Sequence, residues 1–413
     1  MKKSYQRLRG TLDFYPPESD LIQEIVGKAR NLFNTFGYQE VILPILEREE
    51  IFTKSVGKTS DIVGEKQMFR VEGKDIVLRP EGTAGMVRSF IENALYTKKD
   101  FYKFFYIGPM FRGERPQKGR LRQFHHIGCE AFGSNSPYLD VEVIKLALSI
   151  LQECGIKGIK LKVNSLGCQQ DKANLTNFLK KELISYRSKL CPLCQRRLTT
   201  NPLRVLDCKE ESCRKVVSHL DISDRFLCKE CLCHFNEVLS LLKELEIDFL
   251  YQPTLVRGLD YYTNTVFELV HKQLGSQDAC GAGGRYNDLV KNLGGPSIPA
   301  IGFALGLERM LLLLKKPDLT SKVLVFVAYT SLNVYPQAYK LLNTLRKNKV
   351  SSDISYKEKS LKSQLRSAEK AGANFVIIVG DEEIKRGHLI VRDMKKSCQR
   401  TVECSRILDF FLS

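Results

Sequence analysis

The sequence predicts an α+β domain with a mostly antiparallel sheet, a helical cysteine-rich insertion within it, and a C-terminal α/β domain. Two long strand patterns flank a charged loop at 112–122, which indicates paired antiparallel strands. The composition becomes helical, charged and cysteine-rich at 168–250, and strand and helix patterns alternate after residue 320. We therefore expect domains at 1–320 and 321–413, with the insertion at 168–250 inside the first.

The central hairpin spans residues 101–133. Alternating aromatic and polar residues, Tyr102 to Tyr106, predict its first strand, and Gln123 to Phe132 predict its second. The loop between them is too long and too charged for a tight turn. Its guanidinium groups suit a phosphate, because the planar fork can bind two oxygens at once. The alternative is a solvated hairpin tip.

Composition excludes several classes of protein. The 413 residues, 43% hydrophobic and 27% charged, are typical of a soluble globular chain. A net charge of +17 favours a polyanionic partner. The sequence has neither a run of about 18 apolar residues nor a secretory signal, so we expect no membrane association. Thirteen cysteines then indicate thiols or metal ligands, and the protein is predicted to be cytoplasmic.

The N-terminal segment predicts a helix followed by an edge strand. Apolar residues of 19–36 recur at helical spacing, and Gly37 is well placed to end the helix. Residues 39–43 predict a strand, and Pro44 is tolerated best at a sheet edge. This pair suits a dimer surface, or a helix packed on its own core.

A strand-to-helix turn follows residues 76–78. Glu81 and Thr83 lie at this turn, where a carboxylate and a hydroxyl can hold an ammonium group. Helix capping by Thr83 is the alternative, because threonine often precedes an apolar-periodic run.

The insertion contains two CxxC pairs, Cys191–Cys194 and Cys228–Cys231, which suit a tetrahedral zinc ion. Cys208 and Cys213 could replace the second pair, and unmetallated thiols remain the alternative. Such a zinc would be structural, because four protein sulfurs leave no open position for chemistry.

Three later segments carry further candidates. In 255–268, Arg257 lies beside a flexible turn, and strand alternation places Tyr261 and Tyr262 on opposite faces, with Phe267 on the face of Tyr261. Residues 279–289 supply a glycine-rich turn that lets a ligand approach the backbone. Residues 299–314 predict a strand and a helix carrying Arg309, for which a surface position is the alternative.

The C-terminal segment 321–413 alternates strand and helix patterns. It holds 17 basic and 9 acidic residues, a net charge of +8 within +17 for the whole chain. This concentration is typical of a nucleic-acid-binding appendage. A merely solubilising basic surface is the alternative.

Four arginines and two carboxylates thus attach to one interrupted sheet, which suits a nucleoside triphosphate and an amino acid bound side by side. They are Arg112, Arg120, Arg257, Arg309, Glu81 and Glu130.

Along essentially its whole length the chain resembles the histidyl-tRNA synthetase family of class II aminoacyl-tRNA synthetases. The segment ending at Pro44 resembles class II motif 1, residues 111–130 resemble motif 2, and residues 302–309 resemble motif 3. These motifs indicate the class. Residues 255–262 (LVRGLDYY) and 282–286 (AGGRY) resemble the two histidine-specific motifs.

The resemblance implies a class II synthetase-like catalytic domain, a C-terminal anticodon-binding domain and a homodimer formed through motif 1. It implies a histidine–tRNA ligase that attaches histidine to tRNA(His) through a histidyl-adenylate, with ATP and its Mg²⁺. The insertion is more elaborate than the family requires, so its zinc rests on spacing alone.

The resemblance also implies residue roles. Arg112 and Arg257 are the expected catalytic residues, contacting the α-phosphate. The expected ATP-binding residues are Arg112, Glu114, Arg120, Phe124, Arg257 and Arg309. The expected histidine-binding residues are Glu81, Gly82, Thr83, His126, Glu130, Tyr261, Tyr262 and Tyr286. Arg115 and Gln117 would face the acceptor end of tRNA.

One residue departs from the family pattern. The family commonly has glutamine where this chain has His126, and an imidazole presents its donor and acceptor on different ring edges. We expect His126 to line the pocket with altered histidine affinity.

Two other functions fit the same resemblance. A non-catalytic histidine-sensing paralogue, like the regulatory subunit of ATP phosphoribosyltransferase, would need neither Arg257 nor the basic C-terminal domain. A class II synthetase for another amino acid is opposed by residues 257–262 and 283–286.

Overall fold

The computed structural model describes residues 5–55, 63, 67–275, 278–315 and 324–412. Its chain divides into two compact units, residues 1–316 and 317–413. Among the described residues, no helix combines the length and apolar character needed to cross a membrane.

Unit 1 is built on a large sheet, to which eight strands contribute within the described residues. In chain order they are β1 (Gln39–Glu40), β4 (Tyr102–Phe111), β5 (Gln123–Phe132), β6 (Lys160–Ser165), β7 (Phe249–Tyr251), β8 (Thr263–Val270), β9 (Ala279–Arg285) and β10 (Ala300–Gly306). Two short strands, β2 (Leu46–Arg48) and β3 (Ile76–Leu78), form a separate antiparallel pair.

The strand order is β1-β4-β5-β10-β9-β8-β6-β7. The outer pairs β1–β4 and β6–β7 are parallel, and the central pairs are antiparallel. The predicted hairpin forms β4 and β5, with Phe104 opposite Glu130. The first predicted strand is shorter than expected, because regular pairing of β1 stops at Glu40 and continues only as the hydrogen bond from Val41 to Phe105.

Helices cover this sheet. In chain order they are α1 (Glu18–Thr35), α2 (Glu49–Ser55), α3 (Thr83–Glu92), α4 (Pro137–Glu153), α5 (Gln169–Ile184), α6 (Pro192–Thr200), α7 (Glu211–Ser218), α8 (Lys229–Glu244), α9 (Leu289–Asn292) and α10 (Leu307–Leu311).

Alternation along the strands separates two cores. Phe105, Ile127 and Phe303 pack with α1, α4 and α8 on one face. Phe104 and Tyr106 pack on the other face with α3 and the cysteine-rich helices. Because α5, α6 and α7 share this second core, the cysteine-rich segment is anchored to the sheet by apolar burial.

Unit 2 is an α/β domain with the sheet order β12-β11-β13-β14-β15. Its strands are β11 (Val325–Tyr329), β12 (Ser352–Ile354), β13 (Phe375–Val379), β14 (His388–Asp393) and β15 (Cys398–Glu403). Its helices are α11 (Tyr335–Lys347), α12 (Leu361–Lys370), α13 (Asp381–Lys385) and α14 (Asp409–Leu412). Strands β12, β11 and β13 run parallel to one another. Strand β14 pairs with β13 in the antiparallel direction, and β15 pairs with β14 in the same way.

Candidate active site

A cavity of about 290 Å³ opens over the sheet of unit 1 on the face that carries Tyr106. The predicted histidine and ATP residues line it, apart from Gly82. Those residues are Glu81, Thr83, Arg112, Glu114, Arg120, Phe124, His126, Glu130, Arg257, Tyr261, Tyr262, Tyr286 and Arg309. Segments far apart in the sequence therefore converge on one site.

Glu130 is a buried carboxylate on the cavity floor. The Thr83 hydroxyl donates to its Oε1 at 2.6 Å, and the Tyr286 hydroxyl donates to its Oε2 at 2.5 Å. A third donor, Tyr106, lies 3.3 Å from Oε1. Gly302 pairs opposite Glu130 in β10, and a Cβ there would lie 1.9 Å from Oε2. Glycine at 302 therefore makes room for the carboxylate.

The environment of Glu130 changes its protonation. Burial raises its pKa to about 8, against the opposing effect of the hydroxyls of Thr83 and Tyr286. In the ligand-free protein this group therefore carries a proton over much of the neutral range.

We expect Glu130→Gln to stabilise the ligand-free protein increasingly as pH rises. The pKa of Glu130 in the folded protein lies above its ordinary value of 4.5, so the stability that its protonated form contributes is fully present below about pH 4.5 and is lost as pH rises through about 8. Glutamine does not titrate, so the variant should gain on the wild type by a few degrees of melting temperature between about pH 5 and 8. Scanning calorimetry at several pH values measures this gap; a gap independent of pH would contradict the buried-acid account.

Glu81 caps α3. Its two carboxylate oxygens accept the backbone N–H groups of Thr83 and Ala84 at 2.7 and 2.8 Å. The Thr83 side chain makes no cap and points to Glu130 instead. The capping alternative therefore applies to Glu81, and the Thr83 hydroxyl faces the cavity.

The predicted strand faces for Tyr261 and Tyr262 are wrong. Strand β8 begins at Thr263, so both tyrosines precede it, line the same cavity and place their ring centroids 4.6 Å apart. A register shift follows, with Asn264 at a φ of 45°. This bulge breaks the alternation, and Phe267 packs in the opposite core from Tyr261.

Two arginines of the hairpin, Arg112 and Arg120, also line the cavity. The Nε of Arg112 donates to the Pro80 carbonyl at 3.0 Å, and its guanidinium carbon lies 5.2 Å from the Phe124 ring centre. Burial lowers the pKa of Arg112. Arg120 forms an ion pair with Glu114 at 3.2 Å. These contacts favour a folded loop over a solvated hairpin tip.

Arg257 is held by a carboxylate from the sheet. Its Nη1 lies 2.5 Å from Glu268 Oε1. Burial alone disfavours the charged guanidinium, but Glu268 and Tyr262 hold its pKa above the ordinary value. Arg257 is thus a fixed cation, in position before any ligand arrives.

His126 is neutral and faces the cavity. Burial, together with the smaller effect of the nearby charges of Arg112 and Arg79, lowers its pKa to about 3. Its Nδ1 is buried without a hydrogen-bond partner among the described residues. This nitrogen is available to a ligand.

Several cavity residues were not predicted. Glu308 accepts the His125 backbone N–H at 2.9 Å and contacts the His125 ring at 2.7 Å, which joins α10 to β5. From the insertion, Arg204, Asp207 and Lys209 also line the cavity. Glu308 could have been predicted from the sequence, because it is the neighbour of the predicted residue Arg309. Nothing in the local pattern of 204–209 indicates a cavity.

Two other expectations concern the hairpin loop and the glycine-rich turn. Arg115 and Gln117 are exposed, and Gln117 lies in a groove with residues 6–12 outside the main cavity. Arg285 is fully buried, paired with Asp140, and donates to the Ser134 carbonyl at 2.9 Å. The predicted glycine-rich turn is wrong, because residues 279–285 form strand β9 within the sheet. Arg285 braces the end of that strand and leaves Tyr286 to reach Glu130.

The predicted set of four metal ligands does not come together. Cys191 and Cys194 cluster with Cys208 and Cys213, the replacement noted from the sequence. Cys228 and Cys231 cluster elsewhere, with Cys168 and Asp171. Sequence spacing identified the CxxC pairs but not their partners, because helix packing decides which pairs meet.

A mostly antiparallel sheet with arginines around a cavity on one face is the architecture of class II aminoacyl-tRNA synthetases, and the chain has that fold. Its sequence specifies the class further. The family model for histidyl-tRNA synthetase matches residues 10–310, and the model for the anticodon binding domain matches 322–413.

Curated relatives match this chain over nearly its full length. The histidine–tRNA ligase of Halothermothrix orenii is 43% identical over 408 residues, covering 97% of each chain. That of Aquifex aeolicus is 44% identical over 405 residues, covering 97% of this chain and 99% of its own. The crystal structure of apo histidyl-tRNA synthetase from S. aureus superimposes on this chain with a TM-score of 0.80 at 32% sequence identity. The match covers 99% of this chain and 100% of that one.

The chain belongs to the histidyl-tRNA synthetase family. The predicted fold class and the predicted enzyme class, an aminoacyl-tRNA synthetase, are confirmed. The regulatory paralogue is not favoured, because the full-length relatives are named ligases.

Proposed function

We propose that the chain activates histidine with ATP and transfers it to tRNA(His). The observation that carries this proposal is the Glu130 carboxylate, buried beneath a cavity that also holds fixed arginines. A buried acceptor at this position selects a ligand that donates an N–H group to it. The arginines suit a triphosphate bound beside that ligand.

The histidine end of the cavity has complementary groups for both parts of the amino acid. Glu81 and Thr83 would receive the ammonium, since their oxygens keep lone pairs beyond their internal hydrogen bonds. Glu130 and Tyr261 would contact the two imidazole nitrogens. A substrate lacking either nitrogen would leave a buried polar group unpaired.

The remaining histidine-site residues shape the pocket. Tyr262 and Tyr286 would close it, and His126 would offer its neutral Nδ1. Glycine at 82 leaves room for the Tyr106 ring, because a Cβ there would lie 2.3 Å from that ring. Replacing glycine at 82 would displace Tyr106 from Glu130.

The ATP end would use Arg112 and Arg257 on the α-phosphate. A histidine carboxylate oxygen attacks the α-phosphorus, and the bond to pyrophosphate breaks. Arg257 stabilises the added negative charge without moving, because Glu268 already holds it. Mg²⁺ carried by ATP supplies charge neutralisation on the phosphates.

The other ATP contacts orient the nucleotide. Phe124 would stack on adenine, with Glu114 and Arg120 beside it, and Arg309 would hold the nucleotide from the other side. The insertion residues Arg204 and Asp207, paired at 3.2 Å, extend the same wall.

A structural zinc in the insertion suits the cluster of Cys191, Cys194, Cys208 and Cys213. Their sulfurs lie within 4.8 Å of one another. The backbone N–H of Cys191 donates to Cys213 Sγ at 3.2 Å, which orients that sulfur. Because Asp207 and Lys209 flank Cys208, a zinc here would also fix one wall of the cavity.

The partners of the enzyme follow from its surfaces. The tRNA would be contacted by Arg115, by Gln117 and by the basic unit 2. Because tRNA is charged where proteins are made, we expect the protein to lie in the cytoplasm. None of the thirteen cysteines forms a disulfide, in keeping with a reducing compartment. A homodimer through the first motif is supported by exposed apolar side chains after β1, since Ile42 is 91% and Leu46 53% exposed.

The experiment that tests the proposal is the charging of tRNA transcripts with labelled histidine. We expect charging of tRNA(His) and none of a tRNA for a different amino acid. Chain 1–316 alone, the compact first unit, should lose much of the discrimination if 317–413 reads the anticodon. Failure of the full chain to charge tRNA(His) would contradict the proposal.

A further inference from the structure

A second cluster of metal-ligating side chains lies at the two helix starts that bound the insertion. Cys168 precedes α5 and Cys228 precedes α8, each as the N-cap residue. Asp171 and Cys231 each lie three residues further on, inside the first turn. The four ligand atoms lie within 4.8 Å of one another. Cys168-x-x-Asp171 thus matches Cys228-x-x-Cys231 in spacing and position.

Asp171 is oriented before any ligand binds. Its Oδ2 accepts the backbone N–H of Cys168 at 3.2 Å, and its Oδ1 accepts that of Cys228 at 3.0 Å. One carboxylate therefore connects the starts of two helices. Each oxygen keeps a further lone pair, and metal-ligating carboxylates are commonly held by such hydrogen bonds.

We propose that Cys168, Asp171, Cys228 and Cys231 form a second structural site for a divalent ion of the zinc type. Three sulfurs and one carboxylate oxygen are donors that zinc takes in tetrahedral geometry, in which sulfurs about 2.3 Å from the ion lie roughly 3.8 Å apart. The observed spread needs only a small contraction to reach that arrangement.

The charges of the site also fit. Binding releases the protons of three thiols, so three thiolates and one carboxylate surround a doubly charged cation. Two negative charges remain, and they lie at the N-termini of two sixteen-residue helices. Each such terminus carries about half a positive charge, which favours the anionic complex.

Two simpler explanations account for only part of the cluster. Helix capping explains Asp171 but not three thiols gathered around it. A disulfide would join two sulfurs and leave the third, and all three cysteines are free. A single ion engages all four donors.

An ion here would bear on the active site. It would tie the start of the insertion, directly after β6, to its end. Cys231 Sγ lies 3.8 Å from Asn264 Oδ1, at the register shift near the start of β8 and two residues after Tyr262. The second ion would therefore fix Cys231 beside the start of β8, a role separate from that of the first cluster.

Thiol labelling of the wild-type full chain tests the proposal without any mutation. Cys228, the N-cap residue of α8, and Cys233, in its second turn, are both exposed, but only Cys228 belongs to the cluster. In zinc-replete protein we expect iodoacetamide to label Cys228 at least about tenfold more slowly than Cys233, because a coordinated thiolate is protected. A strong chelator should abolish that difference. Peptide mass mapping gives both rates.

Equal labelling of Cys228 and Cys233 in zinc-replete protein would overturn the proposal. Protection of Cys228 that is removed by a reductant but not by a chelator would also overturn it, in favour of a disulfide.

Metal counting gives an independent check. We expect two zinc ions per wild-type chain, about one in Cys228→Ser/Cys231→Ser, and two in the matched control Cys233→Ser. A wild-type count of one that the double variant retains would overturn the second site. If the double variant fails to fold, Cys228→Ser alone, which changes the exposed ligand, should weaken zinc retention against a competing chelator. Unchanged retention in that variant would contradict the proposal.

Discussion

Replacing Arg257 with alanine should reduce adenylate formation to a small residual rate. Arg257 is the cation that Glu268 fixes at 2.5 Å on the cavity wall, so it contributes charge stabilisation without reorganisation. Removing one such preorganised group costs about 10²- to 10³-fold in rate. Histidine-dependent ATP–pyrophosphate exchange measures the loss.

Two controls separate chemistry from folding in this variant. Arg257→Ala leaves Glu268 half-buried without its ion pair, so its melting curve must be recorded alongside the rate. Arg196→Ala removes an exposed arginine of α6 outside the cavity and should keep the wild-type rate. Full exchange activity in folded Arg257→Ala would remove Arg257 from the mechanism.

Replacing Glu130 with glutamine should weaken histidine far more than ATP. Glu130, protonated in the ligand-free protein, would become the charged acceptor on the cavity floor when the imidazole binds, and a buried hydrogen bond to a charged group contributes about 1.5–3 kcal/mol. We therefore expect the KM for histidine to rise roughly 10- to 100-fold while the KM for ATP changes little. Exchange kinetics with each substrate varied in turn give both constants.

A second buried glutamate provides the matched control. Glu47 is 8% exposed and forms an ion pair with Arg88 at 2.5 Å, away from the cavity. Glu47→Gln should alter stability without a selective effect on histidine. An equal loss of affinity for histidine and ATP in Glu130→Gln would contradict its role in reading the imidazole.

Much of the scaffold follows from local pattern. The second hairpin strand matches its predicted bounds, Gln123–Phe132, because long period-two alternation with aromatic residues is a strong local signal. Strand 39–43 was overestimated, since pairing at a sheet edge depends on the neighbouring strand and the proline that follows.

The errors at the site arise from tertiary structure. The tyrosine pair was assigned to a regular strand, but that strand begins only at Thr263 and shifts its register directly afterwards, and both rings line the cavity. The cysteine pairs were matched by their shared spacing, whereas helix packing brings Cys191 to Cys208 and Cys228 to Asp171. Contacts between distant segments decide both outcomes, and sequence periodicity carries no information about them.

The most direct test of the central claim is ATP–pyrophosphate exchange with each of the twenty amino acids in turn. The account predicts exchange with histidine alone, because Glu130 and the tyrosines around it form a buried polar site for an imidazole. Exchange with a different amino acid, or with none in protein shown to be folded, would contradict it.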